Sequence, residues 1–168
     1  AWLAGQVPQQ EAILTRPADP ASGGTRSTAT GVLDRALDLL GLDPAAEVYR
    51  AAGAEVLLRP EPGLNAALED AAERLAPAPA EALLIVLGDV AGALAADFRR
   101  LVDEAGDGKT GVWLAPSADG GTSALLLRPA RAIAFRFGPA SAARHREAAR
   151  EARIAYHELP LPSLAIDL

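Results

Sequence analysis

Residues 82–87 read Ala-Leu-Leu-Ile-Val-Leu, and Gly88-Asp89 follow at once. Successive side chains of an extended strand point to opposite faces. A strand made of six apolar residues therefore needs cover on both sides, which is the situation of a sheet packed between helices. The rest of the chain supplies candidates for that cover. Residues 62–75 place Leu64, Ala67, Leu68, Ala71 and Leu75 on one helical side. Val32, Leu33, Ala36, Leu37, Leu39 and Leu40 form a stripe that Gly41 can end, and Asp43-Pro44 can start a helix running to Gly53. Further helices are expected over 94–105 and 140–153, and strands over 54–58, 111–114, 123–127, 132–137, 154–158 and 164–166. Strand and helix alternate through most of the chain. The pattern predicts an α/β fold with helices on a largely parallel, mixed sheet.

A length of 168 residues suits one domain with a core of its own. Residues 1–29 carry Pro8, Pro17, Pro20, Gly23 and Gly24 among Gln, Thr and Ser, with no period, and read as a loop or poorly ordered arm. The domain would occupy 30–168 and be incomplete at both ends; the chain opens on Ala1 rather than Met, as a trimmed start or a fragment would. The absence of cysteine removes disulfides, thiolate metal sites and cysteine nucleophiles together, and fits a reducing, cytoplasmic setting. A net charge of −6 argues against a general nucleic-acid or membrane-surface binder. No stretch approaches the roughly 18 apolar residues of a membrane span, and residues 1–15 lack the basic start and apolar run of a signal peptide.

In open α/β sheets, ligands sit beyond the carboxyl ends of the strands. Asp89, leaving the apolar strand, can hold a magnesium ion or serve as a turn residue. In Asp119-Gly120-Gly121-Thr122-Ser123, paired glycines let backbone amides approach a phosphate, and Thr122 adds a hydroxyl; a plain hairpin turn has the same composition. In Phe137-Gly138-Pro139-Ala140-Ser141, Ser141 is the expected N-cap of a helix whose first turn would favour an anion, with Arg144 and His145 close by. The alternative there is an ordinary capped helix with His145 exposed. Asp167, after the apolar run ending at Ile166, could be a second metal carboxylate or merely a polar residue near a terminus.

Other chemistries find little footing. Gly108-Lys109-Thr110 lacks the first glycine of a phosphate-binding P-loop, because Asp103 stands in its place. His145 and His157 have no zinc spacing, and no Gly-x-Ser-x-Gly elbow occurs.

The runs GGTSALLLRP (120–129), FGPASAARH (137–145) and LPSLAID (161–167), with PGLNAALEDA (62–71) upstream, resemble the 2-phospho-L-lactate or phosphoenolpyruvate guanylyltransferases of coenzyme F-420 biosynthesis. The resemblance covers roughly residues 47–168. It implies a three-layer, Rossmann-like nucleotidyltransferase fold. It also implies GTP and magnesium, pyrophosphate as one product, and a guanylylated phospho-acid as the other. By position, Asp89 and Asp167 would hold the metal. Thr122, Gly138 and Ser141 would bind the phosphate of the acid, and Gly63, Leu64 and Asn65 would lie along the guanine nucleotide. The chain differs from the usual family form at several places: Ser123 stands where asparagine is common, and its single lysine, Lys109, falls outside the family's basic opening loop. A second reading is a partial domain of this fold that binds a phospho-acid without turnover, or acts only as an interaction module.

Overall fold

The structure, a computed structural model, describes residues 3–7, 11–15, 49–57, 63–75, 82–88, 90 and 92–165. The helix expected over 30–40 lies outside them, as do Asp89 and Asp167; of the next helix, residues 49–51 are described and are helical.

Among the described residues seven strands form one sheet: β1 (Leu3–Val7), β2 (Glu11–Thr15), β3 (Glu55–Val56), β4 (Leu83–Val86), β5 (Gly111–Pro116), β6 (Thr122–Arg128) and β7 (Tyr156–Glu158). Their order is β3-β2-β1-β4-β6-β5-β7. Besides the helical residues at 49–51, the described residues include helices α1 (Leu64–Leu75), α2 (Ala95–Ala105) and α3 (Ser141–Ala152).

The central strands are buried on both faces, as the apolar run at 82–87 requires. Leu83 and Ile85 join Val112, Leu114, Leu125 and Leu127 under α1 and α3, where Leu68, Ala71, Ala72, Ala142, Ala148 and Ala149 meet them. The alternate residues Leu84, Trp113, Ala115, Ala124 and Leu126 pack on the other face with Leu101 and Ala105 of α2 and with Leu161 and Leu164. The result is three layers, helix–sheet–helix, as expected. Small alanines at the helix contacts let α1 and α3 lie close to the leucine-rich strands.

The sheet is mixed but less parallel than the alternation of elements implies. Of the six strand pairings among the described residues, β1–β4 and β5–β7 are parallel and the other four are antiparallel. The reason is local: β6 is reached from β5 by a tight hairpin rather than by a crossover helix, so it runs against both of its neighbours.

Three expected elements differ. The loop reading of residues 1–29 gives way to two paired strands at Leu3–Val7 and Glu11–Thr15; β1 is held by tertiary pairing with β4, which no local period could reveal. Residues 132–137 alternate, with Ile133, Phe135 and Phe137 buried and Ala134 and Arg136 exposed, yet they form no strand, and residues 132 and 133 bend. Side chains take up their backbone N–H groups in place of a neighbouring strand: Phe135 N donates to Glu69 Oε1 (3.2 Å), Arg136 N to His145 Nε2 (2.9 Å) and Phe137 N to Asn65 Oδ1 (2.8 Å). Lastly, the strand expected over 164–166 is replaced, where it is described, by a 3-10 turn at Pro162–Leu164. Pro162 has no N–H for a ladder, and Ser163 turns to α2, its Oγ donating to Asp97 Oδ2 (2.6 Å) and accepting from Leu94 N (3.1 Å). Among the described residues no helix is long and apolar enough to cross a membrane.

Candidate functional site

The hairpin at 117–121 is both a turn and a wall of a hollow at the end of the sheet. Ser117 Oγ donates to Asp119 Oδ1 (2.5 Å), and Gly121 N donates to the same oxygen (2.8 Å). These two donors hold the Asp119 carboxyl below the usual carboxylate range. A Cβ at Gly121 would lie 2.5 Å from Ser117 Oγ and 2.9 Å from Asp119 Oδ1, so a larger residue would displace this pair.

Where the hairpin enters β6, the register slips. Ala115 pairs with Ala124 and Pro116 with Thr122, so Ser123 is one residue more than its partner strand can match. Such a bulge re-aims side chains. In a regular strand Thr122 would share the α2 face of Ala124. Instead it bonds to α3 on the opposite face, and Thr122 and Ser123, neighbours in sequence, both line the same cavity.

Thr122 is the centre of a buried triplet. Ser141 Oγ donates to Thr122 Oγ1 (2.9 Å), and His145 Nδ1 lies 3.1 Å from the same oxygen. Arg136 N donates to His145 Nε2, which makes that nitrogen an acceptor and assigns the imidazole proton to Nδ1. The histidine stays neutral at pH 7: burial first, then the charges of Arg144 and Arg136, push its pKa down to about 4, against a smaller upward pull from the Ser141 backbone. Thr122 Oγ1 thus lies within hydrogen-bonding reach of both the Ser141 hydroxyl and His145 Nδ1, at the wall of the cavity. His145 is thus fully buried rather than exposed. The i, i+4 spacing of Ser141 and His145, which puts both on one side of α3, was the available sign.

Nor is Ser141 the N-cap of α3. Ala140 takes that place in a left-handed conformation (φ 54°), and no side chain caps the helix. Ser141 is instead its first helical residue, with its hydroxyl turned to Thr122. An uncapped first turn leaves amide donors for an anion, although the N–H of Ala142 already bonds Gly120 O (3.2 Å). Just before it, Gly138 stands at φ +117°, a conformation that suits glycine, and Arg144 Nη1 comes within 3.6 Å of where a Cβ would be.

The opposite wall comes from α1. The Asn65 carboxamide clasps Phe137, accepting from its N–H (2.8 Å) and donating to its carbonyl (3.1 Å). Sequence reasoning placed Asn65 beside a ligand; this clasp, which fixes the Phe-Gly loop to the start of α1, has no local signature. Gly63 (φ +129°) stands one residue ahead of Leu64.

Together these segments enclose a cavity of about 400 Å³ lined by Leu64, Asn65, Leu87, Val90, Ser117, Asp119, Gly121, Thr122, Ser123, Phe137, Gly138 and Ser141. Five residues to which the resemblance gives a ligand role thus converge: Leu64, Asn65, Thr122, Gly138 and Ser141. Their roles toward a ligand come from resemblance, their meeting from the fold. Leu87 and Val90, which flank Gly88-Asp89, line the same space. Ala165, two residues before Asp167, accepts a hydrogen bond from Ala118 N (2.9 Å) in the hairpin. Asp89 and Asp167 themselves lie outside the described residues. Among the described residues no group of three or more His, Cys, Asp or Glu could hold a metal.

A family model described as "Guanylyl transferase CofC like" matches residues 31–160. The phosphoenolpyruvate guanylyltransferase of Rubrobacter xylanophilus is 39% identical over 127 residues, covering 75% of this chain and 62% of that protein. That of Chloroflexus aggregans is 31% identical over 162 residues, covering 95% of this chain and 79% of its own length. The 3-phospho-D-glycerate guanylyltransferase of Colwellia psychrerythraea is 34% identical over 116 residues, covering 69% and 55%. The chain spans less than two thirds of the length of the first and third of these relatives.

Proposed function

The chain belongs to the CofC-like guanylyl transferase family, and from that premise we propose that it transfers GMP from GTP to phosphoenolpyruvate or 2-phospho-L-lactate, releasing pyrophosphate. The observation that carries the reading is the convergence of Thr122, Gly138 and Ser141, from three separate segments, on one cavity of small-molecule size. The phosphoenolpyruvate guanylyltransferases among the relatives make that acid the first candidate. The motifs at 120–129, 137–145 and 161–167 are what suggest coenzyme F-420 biosynthesis as the setting.

The chemistry asks little of side chains beyond placement. A phosphate oxygen of the acid attacks the α-phosphorus of GTP. A new P–O–P bridge forms, the α–β bond breaks, and pyrophosphate leaves with the electron pair. Two polyanions must be brought together, so oriented donors and cations dominate. In our reading the linked hydroxyls of Thr122 and Ser141 present one proton to the acid's phosphate. The uncapped start of α3 adds backbone donors, and Gly138 lets the phosphate approach the backbone. Arg136 and Arg144, near enough to depress the His145 pKa, make the surroundings favourable to an anion. Gly63, Leu64 and Asn65 border the nucleotide.

Magnesium, when bound, would neutralise phosphate and carboxylate charge, and we assign Asp89 and Asp167 to hold it. Two placements support this assignment: the neighbours of Asp89 line the cavity, and the backbone just before Asp167 bonds the hairpin that borders it. Asp119 is a poor substitute, because one of its oxygens already accepts two hydrogen bonds.

The test is pyrophosphate release from GTP and magnesium with phosphoenolpyruvate, 2-phospho-L-lactate and 3-phosphoglycerate in turn. Release with one of the first two acids is expected. Release with 3-phosphoglycerate alone would reassign the substrate. No release with any acid, together with no rise in melting temperature on adding them, would overturn the reading.

A further inference from the structure

Ser123 Oγ is buried and, among the described buried side-chain polar atoms, has no hydrogen-bond partner. The residue is only 2% exposed. An unpaired hydroxyl in a protein interior is destabilising and uncommon, and it calls for a reason. The surroundings supply one. Ser123 shares the α1 and α3 face of Leu125 and lines the cavity, and the bulge on β6 brings Thr122 round to the same side. Its backbone carbonyl is already occupied, accepting from Leu87 N (3.1 Å), so the side chain is the part left open. Its neighbours in the lining are Thr122 and Ser141, whose hydroxyls are bonded to each other. Ser123 therefore offers the cavity a hydroxyl that no group around it has taken up.

We infer that Ser123 is a direct substrate contact, its hydroxyl completed by an anionic oxygen of the phospho-acid. This rests on the reading of the cavity as the phospho-acid site. The shared chemistry is an anionic oxygen, whether phosphoryl or carboxylate. A contact made only on binding explains why the group stands unpaired without ligand: the fold bears the desolvation in advance, and the ligand recovers it. A residue kept for structure alone would behave oppositely, because removing its hydroxyl would lower stability.

The experiment compares the parent protein with Ser123→Ala and Ser123→Cys, by thermal melting without ligand and by calorimetric titration with phosphoenolpyruvate in magnesium chloride. Ser123→Ala should melt at or above the parent temperature and bind phosphoenolpyruvate about ten-fold more weakly, the loss of one hydrogen bond to a charged group. Ser123→Cys, similar in size but a weak donor, should also bind more weakly. Inorganic phosphate and pyruvate, titrated separately, distinguish the sources: the one whose binding suffers in Ser123→Ala carries the contacted oxygen. Unchanged phosphoenolpyruvate affinity in both variants would overturn the assignment, as would weaker binding accompanied by a lower melting temperature. A parent protein that binds no phospho-acid would instead remove the cavity reading, and this inference with it.

Discussion

A histidine with arginines on both sides, in a helix of alternating charge, reads as a surface residue; His145 is a core residue that orders a hydroxyl. Its neutrality is a condition of that role, since a protonated ring could no longer accept from Arg136 N. The folded pKa of about 4 lies below the ordinary 6.5. Between those values the unfolded chain binds more protons, so stability rises with pH there. The contribution is complete above pH 6.5 and is lost as pH falls toward 4, by on the order of 3 kcal/mol in all. Melting curves across that range should show a steeper decline for the parent than for His145→Asn, whose amide nitrogen can stand where Nδ1 does. If Thr122 is oriented as argued, His145→Asn should also bind phosphoenolpyruvate within a few-fold of the parent, while His145→Gln, which places its amide nearer Nε2, should lose about ten-fold. Equal slopes in parent and variant would remove His145 from the pH dependence. Other site residues were visible in advance as types: the threonine after paired glycines, the glycine before a helix, and the serine at its start. What a sequence cannot display is which hydroxyl gives its proton to which oxygen, because that depends on a contact between residues 122 and 145 and on a backbone amide at 136.

Among elements, the segment at 133–137 shows why period alone misleads. Its alternation of buried and exposed residues is that of a strand, and a strand was expected there. Among the described residues no strand pairs with it, and the N–H groups of Phe135, Arg136 and Phe137 go to Glu69, His145 and Asn65. Alternation reports which side faces the core and says nothing of what sits along the edge. The same distinction explains β1 and β2, whose pairing partners are remote or weakly patterned, and the sheet directions, which follow from whether a helix or a hairpin joins two strands. By contrast, the apolar run of β4 was legible because burial on both faces is written in the residues themselves. Asn65 is the exposed seam in this arrangement, since its one side chain replaces a pair of ladder bonds. Asn65→Ala should lower stability by about 1–3 kcal/mol, read as a shift in the urea midpoint at constant slope. It should also weaken acid binding, because Gly138 follows Phe137 directly. A variant with normal stability would mean that the Phe-Gly loop is held by burial of Phe137 alone.

For the molecule as a whole, the three layers divide the work. The layer under α2 is apolar packing, closed by Ser163 on Asp97 and Leu94, while the polar chemistry gathers at one end of the opposite layer. Asp89→Asn tests how separable the two are. It should abolish magnesium-dependent pyrophosphate release while leaving the melting temperature within a few degrees of the parent; full activity would exclude Asp89 from the mechanism. The bulge at Ser123 bears on the same separation in a different way. A strand that feeds two hydrophobic layers normally offers a binding site only every second position, and each change there sits next to a residue committed to the far side. One extra residue resets that count. Packing under α2 resumes at Ala124 and under α1 at Leu125, so positions 122 and 123 fall outside the apolar alternation. Thr122 is tied to α3 by hydrogen bonds, which leaves Ser123 as the position that neither layer holds.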